Sequence, residues 1–251
     1  MPKLIFLGTA NAIPSQEHEN THMALVGEQH KVLIDCVGSP LVRLPQAGLP
    51  ALELTDLILT HFHPDHISGV PSLLMGSWLL GRTQPLEVYG LAYTLDRIEA
   101  MMGLYEWHTW PGFFPVHFHR LPEEEMTPVL RNEEMAIYAS PVRHLVPTIG
   151  LRVEFPKTEH AMAYSCDTEP CQEVVRLASG VDYLIHEATG AEKGHSSAEQ
   201  AGAIARQAEV GNLVLIHYTT KDSAAQSLIP QASEAYTGPI ALAQDFMKIR
   251  L

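Results

Sequence analysis

Leu57-Ile58-Leu59-Thr60-His61-Phe62-His63-Pro64-Asp65-His66 sets four potential metal ligands within six residues, directly after a β-prone run. In an extended backbone alternate side chains leave the same face, so the His61 and His63 imidazoles point together. Pro64 fixes a turn that directs Asp65 and His66 toward a second position. Imidazole nitrogen and carboxylate oxygen suit zinc or a similar divalent first-row cation, and two such clusters a few ångströms apart make a binuclear site. A structural zinc site usually draws on cysteine, which this stretch lacks.

A binuclear site needs more donors, and the ends of other strands are where a rigid scaffold holds them. Three candidates follow β runs. His144 comes after the run at 135–139, Asp167 ends the run from 161, and His217 ends the run at 213–216. Further strands are predicted at 4–7, 23–26, 31–34, 86–89, 149–155, 183–185 and 240–243, the first three as an antiparallel meander. Helices are expected at 70–80, 93–102, 171–178, 197–208 and 223–235. In the fourth, Ala198, Ala201, Ile204, Ala205 and Ala208 share one narrow face, with Ser196 or Ser197 as cap and Glu199 or Gln200 answering it. The pattern reads as two βα halves, each a sheet covered by helices, in one domain over 1–251.

Of 251 residues 46% are hydrophobic and 18% charged, enough to bury a core. The formal charge is −13 and the 16 cations form no run, which argues against a surface built to wrap nucleic acid. Fourteen histidines are an excess, and the five imidazoles named so far absorb part of it. Cys36, Cys166 and Cys171 cannot all pair, and no secretory signal precedes the strand at 4–7, so a cytoplasmic location is expected. No apolar run reaches the roughly 20 residues that span a bilayer, so no membrane association is expected.

The sequence resembles the metallo-β-lactamase superfamily, and within it the ribonuclease Z type of hydrolase. The matching stretches are Phe6-Leu7-Gly8-Thr9 with Pro14 and Asn20, Ile34-Asp35-Cys36, His61 to His66, and His144 with Pro147 and Gly150. Further on come Ser165-Cys166-Asp167-Thr168, His186-Glu187-Ala188-Thr189, His195-Ser196-Ser197 and His217. The resemblance implies an α/β fold, a four-layer αββα sandwich with the active site at the edge between two sheets. It implies His61, His63 and His144 on one metal, Asp65, His66 and His217 on the other, and Asp167 bridging. Two Zn2+ per chain are expected, with Mn2+ or another divalent first-row ion as substitutes. Histidine at 63, where oxygen-reducing diiron relatives carry an acid, favours hydrolysis over redox chemistry.

Two such cations share a water, lower its pKa toward neutrality and hold the hydroxide as nucleophile. Asp65 would ligate and orient it. Resemblance assigns protonation of the leaving alkoxide to His195, with Glu187 holding the imidazole and favouring its charged form. Among the other candidates, His186 reads as a buried core histidine and Cys166 as a packed thiol. His117 and His119 read as an exposed strand face, and Glu123-Glu124-Glu125 as a solvated loop. The aromatic stretch 105–118 reads as a wall or lid over the site, a dimer contact, or ordinary loop packing.

The family pattern breaks in three places. tRNA processors of the short type insert a tRNA-gripping arm between the third histidine and the bridging aspartate, yet His144 and Asp167 are 23 positions apart. The charge is acidic. Tyr218-Thr219-Thr220-Lys221 stands where the tRNA processors carry Ser and an Arg-Tyr pair. The expected function is therefore a dinuclear zinc phosphodiesterase acting on small or compact diesters. The alternatives are a tRNA 3′-end endoribonuclease, a lactone, sulfate-ester or β-lactam hydrolase, or a non-catalytic metal-binding sensor. Relatives of this kind imply a homodimer.

Overall fold

The computed structural model describes residues 2–220 and 222–251; Lys221 lies outside the described residues. β1 (Lys3–Gly8), β2 (His22–Val26) and β3 (Lys31–Ile34) form the expected antiparallel start. The chain continues through α1 (Pro40–Gln46), β4 (Asp56–Ile58), α2 (Pro64–Ile67), α3 (Val70–Leu79), β5 (Leu86–Leu91), α4 (Ala92–Leu104) and β6 (Val116–Leu121). β3, β4, β5 and β6 pair in parallel.

β7 (Thr127–Arg131), β8 (Ala136–Val142), β9 (Thr148–Phe155) and β10 (His160–Tyr164) then make an antiparallel meander. α5 (Gln172–Leu177), β11 (Tyr183–Glu187), α6 (Ala198–Gln207), β12 (Asn212–Ile216), α7 (Leu228–Ser233) and β13 (Ile240–Leu242) extend it by parallel pairing. β14 (Lys248–Arg250) returns to the first sheet, antiparallel to β1. Among the described residues this gives two seven-stranded sheets, β14-β1-β2-β3-β4-β5-β6 and β13-β12-β11-β10-β9-β8-β7.

The layers follow from side-chain alternation. On β1, Leu4 and Phe6 enter the core between the sheets, while Ile5 and Leu7 enter a second core under α1, α3 and α4. On β12, Val214 and Ile216 face the first core and Leu213 and Leu215 face a third, under α5, α6 and α7. Strands covered on both faces must be apolar on both, which is why these read as continuous hydrophobic runs. The result is the four-layer αββα sandwich. Each fully buried Leu, Ile or Phe contributes about 1.5–3 kcal/mol.

Several elements depart from the sequence reading. The helix expected at 223–235 is a 3-10 segment, Asp222–Ser227, followed by α7. Pro230 has no N–H to continue a preceding helix and its ring would clash with the carbonyl four residues back, so a helix can begin only just before it. Pro40 and Pro45 masked α1, whose Pro40 takes the first turn. The turn at Pro64 is a single helical turn, α2. β7 and β14 were not foreseen, and β14 makes the halves interleave, since the last strand belongs to the first sheet. Between His144 and Asp167 the chain forms β9, β10 and the turn joining them, with no inserted arm.

Candidate metal centre and active site

Strand ends from both sheets meet at one edge. β4 leads into His61 to His66, β8 into His144, β10 into Asp167, β11 ends on Glu187, and β12 leads into His217. The Ile149 amide donates to the Thr60 carbonyl at 3.2 Å, tying the start of β9 to the end of β4 across the sheets.

Among the described residues five overlapping sets of close donors occur, and two of them divide the seven expected ligands: His61, His63 and His144 form one, and Asp65, His66, Asp167 and His217 the other. His61 Nε2 and His144 Nε2 lie 3.0 and 3.1 Å from His63 Nδ1, near the roughly 3.3 Å that two nitrogens on one tetrahedral zinc adopt. Asp167 Oδ2 stands between the groups, 3.4 Å from His217 Nε2, 3.6 Å from His66 Nε2 and 3.9 Å from His144 Nε2. Asp65 Oδ2 is 3.5 Å from His217 Nε2 and 3.7 Å from His66 Nε2. His66 Nε2 and Asp167 Oδ1 are buried with no hydrogen-bond partner. Buried polar atoms are rarely left unpaired, and a cation would give both a partner. The residues present fit a divalent metal.

Second contacts fix the rings. His66 Nδ1 donates to Asp35 at 2.8 Å, His217 Nδ1 to the Thr189 hydroxyl at 2.8 Å, and His144 Nδ1 to the Gly194 carbonyl at 2.6 Å. His61 Nδ1 donates to the Thr60 hydroxyl at 3.1 Å, which itself donates to Asp35. Each bond leaves the opposite nitrogen free for a ligand, the arrangement that orients metal-binding imidazoles. Asp35, Cys166 and His217 hold φ of 59°, 53° and 52°. Non-glycine residues in this region are strained, and all three sit where β3, β10 and β12 deliver their chains to the site.

Most charge states suit a cation; the exception is His66, where burial would lower the pKa but Asp167 and Asp35 raise it well above the usual imidazole value, so a cation there would displace its proton. Burial, aided by neighbouring imidazoles, lowers the pKa of His61 and His63, and burial lowers that of His144, favouring the neutral rings that ligate. Burial alone would raise Asp167, but His217 and His66 hold it well below the usual carboxylate range. Burial likewise opposes ionisation of Asp65, and His217 and His66 outweigh it.

Glu187 has no exposed surface. Its Oε1 accepts from His195 Nδ1 at 3.0 Å, Thr168 N at 3.0 Å and Ser196 N at 3.1 Å, and its Oε2 accepts from Thr189 N at 3.0 Å. Burial would lower the His195 pKa, but the bond to Glu187 and its charge raise it. The His195 ring lies 4.9 Å from that of His144 and 5.9 Å from that of His217. The nine predicted site residues are thus brought together. Asp35 and Thr189 lay in stretches quoted above without a role, whereas Gly194, which offers a backbone carbonyl, left no signal in the sequence.

Of the remaining candidates Cys166 lies against the ligands and the others stand outside the donor sets. His186 is buried, with Nδ1 donating to the Glu187 carbonyl at 2.8 Å. The Cys166 thiol is buried, 3.6 Å from His61 Nδ1. His117 and His119, half exposed on β6, hold Glu87 at 2.8 and 2.5 Å. Glu123, Glu124 and Glu125 are exposed. Trp107, Trp110 and Phe113 pack with Trp78 against the core under α3 and α4, as ordinary loop packing expects.

A sequence model of the beta-lactamase superfamily domain matches residues 30–218. The chain belongs to this superfamily. Within the superfamily its sequence is similar to ribonucleases Z over its whole length. It is 26% identical to the ribonuclease Z of Methanothermobacter thermautotrophicus, covering 100% of this chain and 97% of that one. That alignment runs over 307 positions against the 251 of this chain, so the relative carries residues this chain lacks. The human short-form tRNase Z superposes with a TM-score of 0.79 at 27% identity, covering 99% and 98% of the two chains. The metallo-beta-lactamase fold protein YhfI of Bacillus subtilis shares the fold, with a TM-score of 0.82 at 21% identity and 99% and 98% coverage. Two of these relatives are nucleases by name, and YhfI shows the fold alone.

Proposed function

We propose that this chain is a single-domain dinuclear zinc phosphodiesterase. The observation that carries the reading is the two donor groups joined by Asp167 beside an imidazole held on a buried carboxylate. His61, His63 and His144 would hold one cation, Asp65, His66 and His217 the other, with Asp167 shared; Mn2+ or another first-row ion would substitute. When bound, two such cations supply a hydroxide nucleophile at neutral pH and offset negative charge building on the phosphoryl oxygens. Asp65 orients the attacking oxygen. His195, whose charged form Glu187 favours, gives its proton to the departing alkoxide, and Glu187 keeps the ring aimed by holding Nδ1. Asp35, Thr189 and Gly194 maintain the imidazole orientations.

The substrate is a small or compact phosphodiester, for the interval between His144 and Asp167 holds β9 and β10 alone and the net charge is −13. Processing of tRNA 3′ ends is the second reading, favoured by the names of the relatives. The three buried free thiols suit a reducing cytoplasm, and a homodimer is the proposed assembly. No helix among the described residues is long and apolar enough to cross a membrane. The deciding experiment measures metal content and compares turnover of cyclic nucleotides, dinucleotides, precursor tRNA, an aryl sulfate, lactones and nitrocefin. Close to two transition metals per chain and preference for compact diesters are expected. A metal-free protein without hydrolysis overturns the reading, and preference for precursor tRNA establishes the second.

A further inference from the structure

Glu169 follows Asp167 by two residues and ties that segment to two others of the site. Its amide donates to the Arg143 carbonyl at 2.7 Å, immediately before His144. Its Oε1 accepts from the Gly194 amide at 2.8 Å, immediately before His195. The Thr168 hydroxyl donates to the Glu169 carbonyl at 2.8 Å and accepts from the Arg143 amide at 3.1 Å, closing the connection. Gly194 has φ +85° and presents its carbonyl to His144 Nδ1 at 2.6 Å, while the next amide, that of His195, donates to the Glu192 carbonyl. A Cβ at Gly194 would come within 2.9 Å of Leu145 Cγ and 3.0 Å of His144 Nδ1, so the turn lies tight against that histidine.

Both peptide units flanking Gly194 are therefore pinned. One is held by the Glu169 carboxylate, and the other aims a carbonyl at His144 and carries His195. We propose that Glu169 is a positioning residue that holds the Gly194 turn, and through it both the His144 imidazole and the His195 proton donor, in working geometry. The proposal rests on the phosphodiesterase reading for its kinetic consequence but not for the contact itself. Without the carboxylate the turn loses one of its anchors, His195 drifts from the leaving group, and His144 loses its fixed ring orientation. A near-attack geometry is sensitive to such shifts.

Three measurements on metal-loaded Glu169→Ala and Glu169→Gln decide it, since glutamine keeps an acceptor oxygen and alanine does not. In E169A, turnover of an alkyl-leaving-group diester falls about tenfold and that of bis(p-nitrophenyl) phosphate about twofold, and E169Q restores both. In competition with a chelator, E169A gives up zinc several-fold more readily than the native protein, and E169Q does not. Amide exchange across 190–196 is faster in E169A and native-like in E169Q. Equal losses on both diesters, or unchanged zinc retention with unchanged exchange, overturn the proposal. So does an E169Q protein of native stability that shows the alanine losses. A native protein that binds zinc yet hydrolyses no diester overturns the phosphodiesterase reading alone, and zinc retention and exchange then decide the role of Glu169.

Discussion

Glu187 is a carboxylate without exposed surface that gathers four donors, three of them backbone amides. These donors satisfy the buried carboxylate oxygens, and the contact with Glu187 favours an imidazolium at His195. The sign for activity follows. The proposed proton donor works while protonated, so kcat/KM is expected to fall as pH rises through the raised His195 pKa. Glu187→Gln removes the carboxylate, and the alkaline limb of the pH–rate profile moves to lower pH; an unmoved limb counts against the pairing. His195→Ala lowers turnover of diesters with poor leaving groups roughly a hundredfold and of activated aryl diesters far less, since only the former need the proton. Asp65→Ala lowers turnover of bis(p-nitrophenyl) phosphate by roughly a hundredfold or more. Retained turnover would remove Asp65 from the mechanism.

At the scale of elements, α6 shows what made the sequence legible. Its apolar spacing and its start are local properties, and the cap forms as expected: Ser197 Oγ accepts from Gln200 N at 3.2 Å and Gln200 Oε1 accepts from Ser197 N at 2.8 Å. Ser197→Ala costs about 1 kcal/mol and lowers the melting temperature by about 2–4 °C, read by calorimetry. The helix drawn over 223–235 starts too early, because Pro230 is the third residue of α7 and cannot sit inside a helix that begins at 223. The packing of α7 on α6 is close, since a Cβ at Gly202 would come within 2.4 Å of the Ala232 carbonyl. Gly202→Ala therefore destabilises by about 1–3 kcal/mol despite alanine's better helix propensity, and a rise in melting temperature would contradict the packing. β14 escaped notice for another reason: Lys248-Ile249-Arg250 offers a single apolar residue, and only the edge of β1 makes it a strand.

Across the whole molecule the site stands where two sheets present strand ends, with His61 and His63 from one and His144 from the other. A cation held there joins the sheets in the folded state alone, so it stabilises by mass action, about 2.7 kcal/mol at a hundredfold excess over Kd. Chelator-treated protein is expected to melt several degrees lower and to recover on adding zinc; an unchanged melting temperature would argue against a cation spanning the sheets. The candidate ligands were legible because His61-Phe62-His63-Pro64-Asp65-His66 is a local pattern and because His144, Asp167 and His217 each follow an apolar run. Which nitrogen faces the cation, and what holds each ring, was decided by tertiary structure. His63 and His144 are 81 positions apart and Asp65 and His217 are 152 apart, so no local pattern relates their atoms. Asp35, Thr189, Gly194 and Glu169 act through contacts with residues 25 to 50 positions away, and a backbone carbonyl or a lone carboxylate has no sequence signature until the fold places something against it.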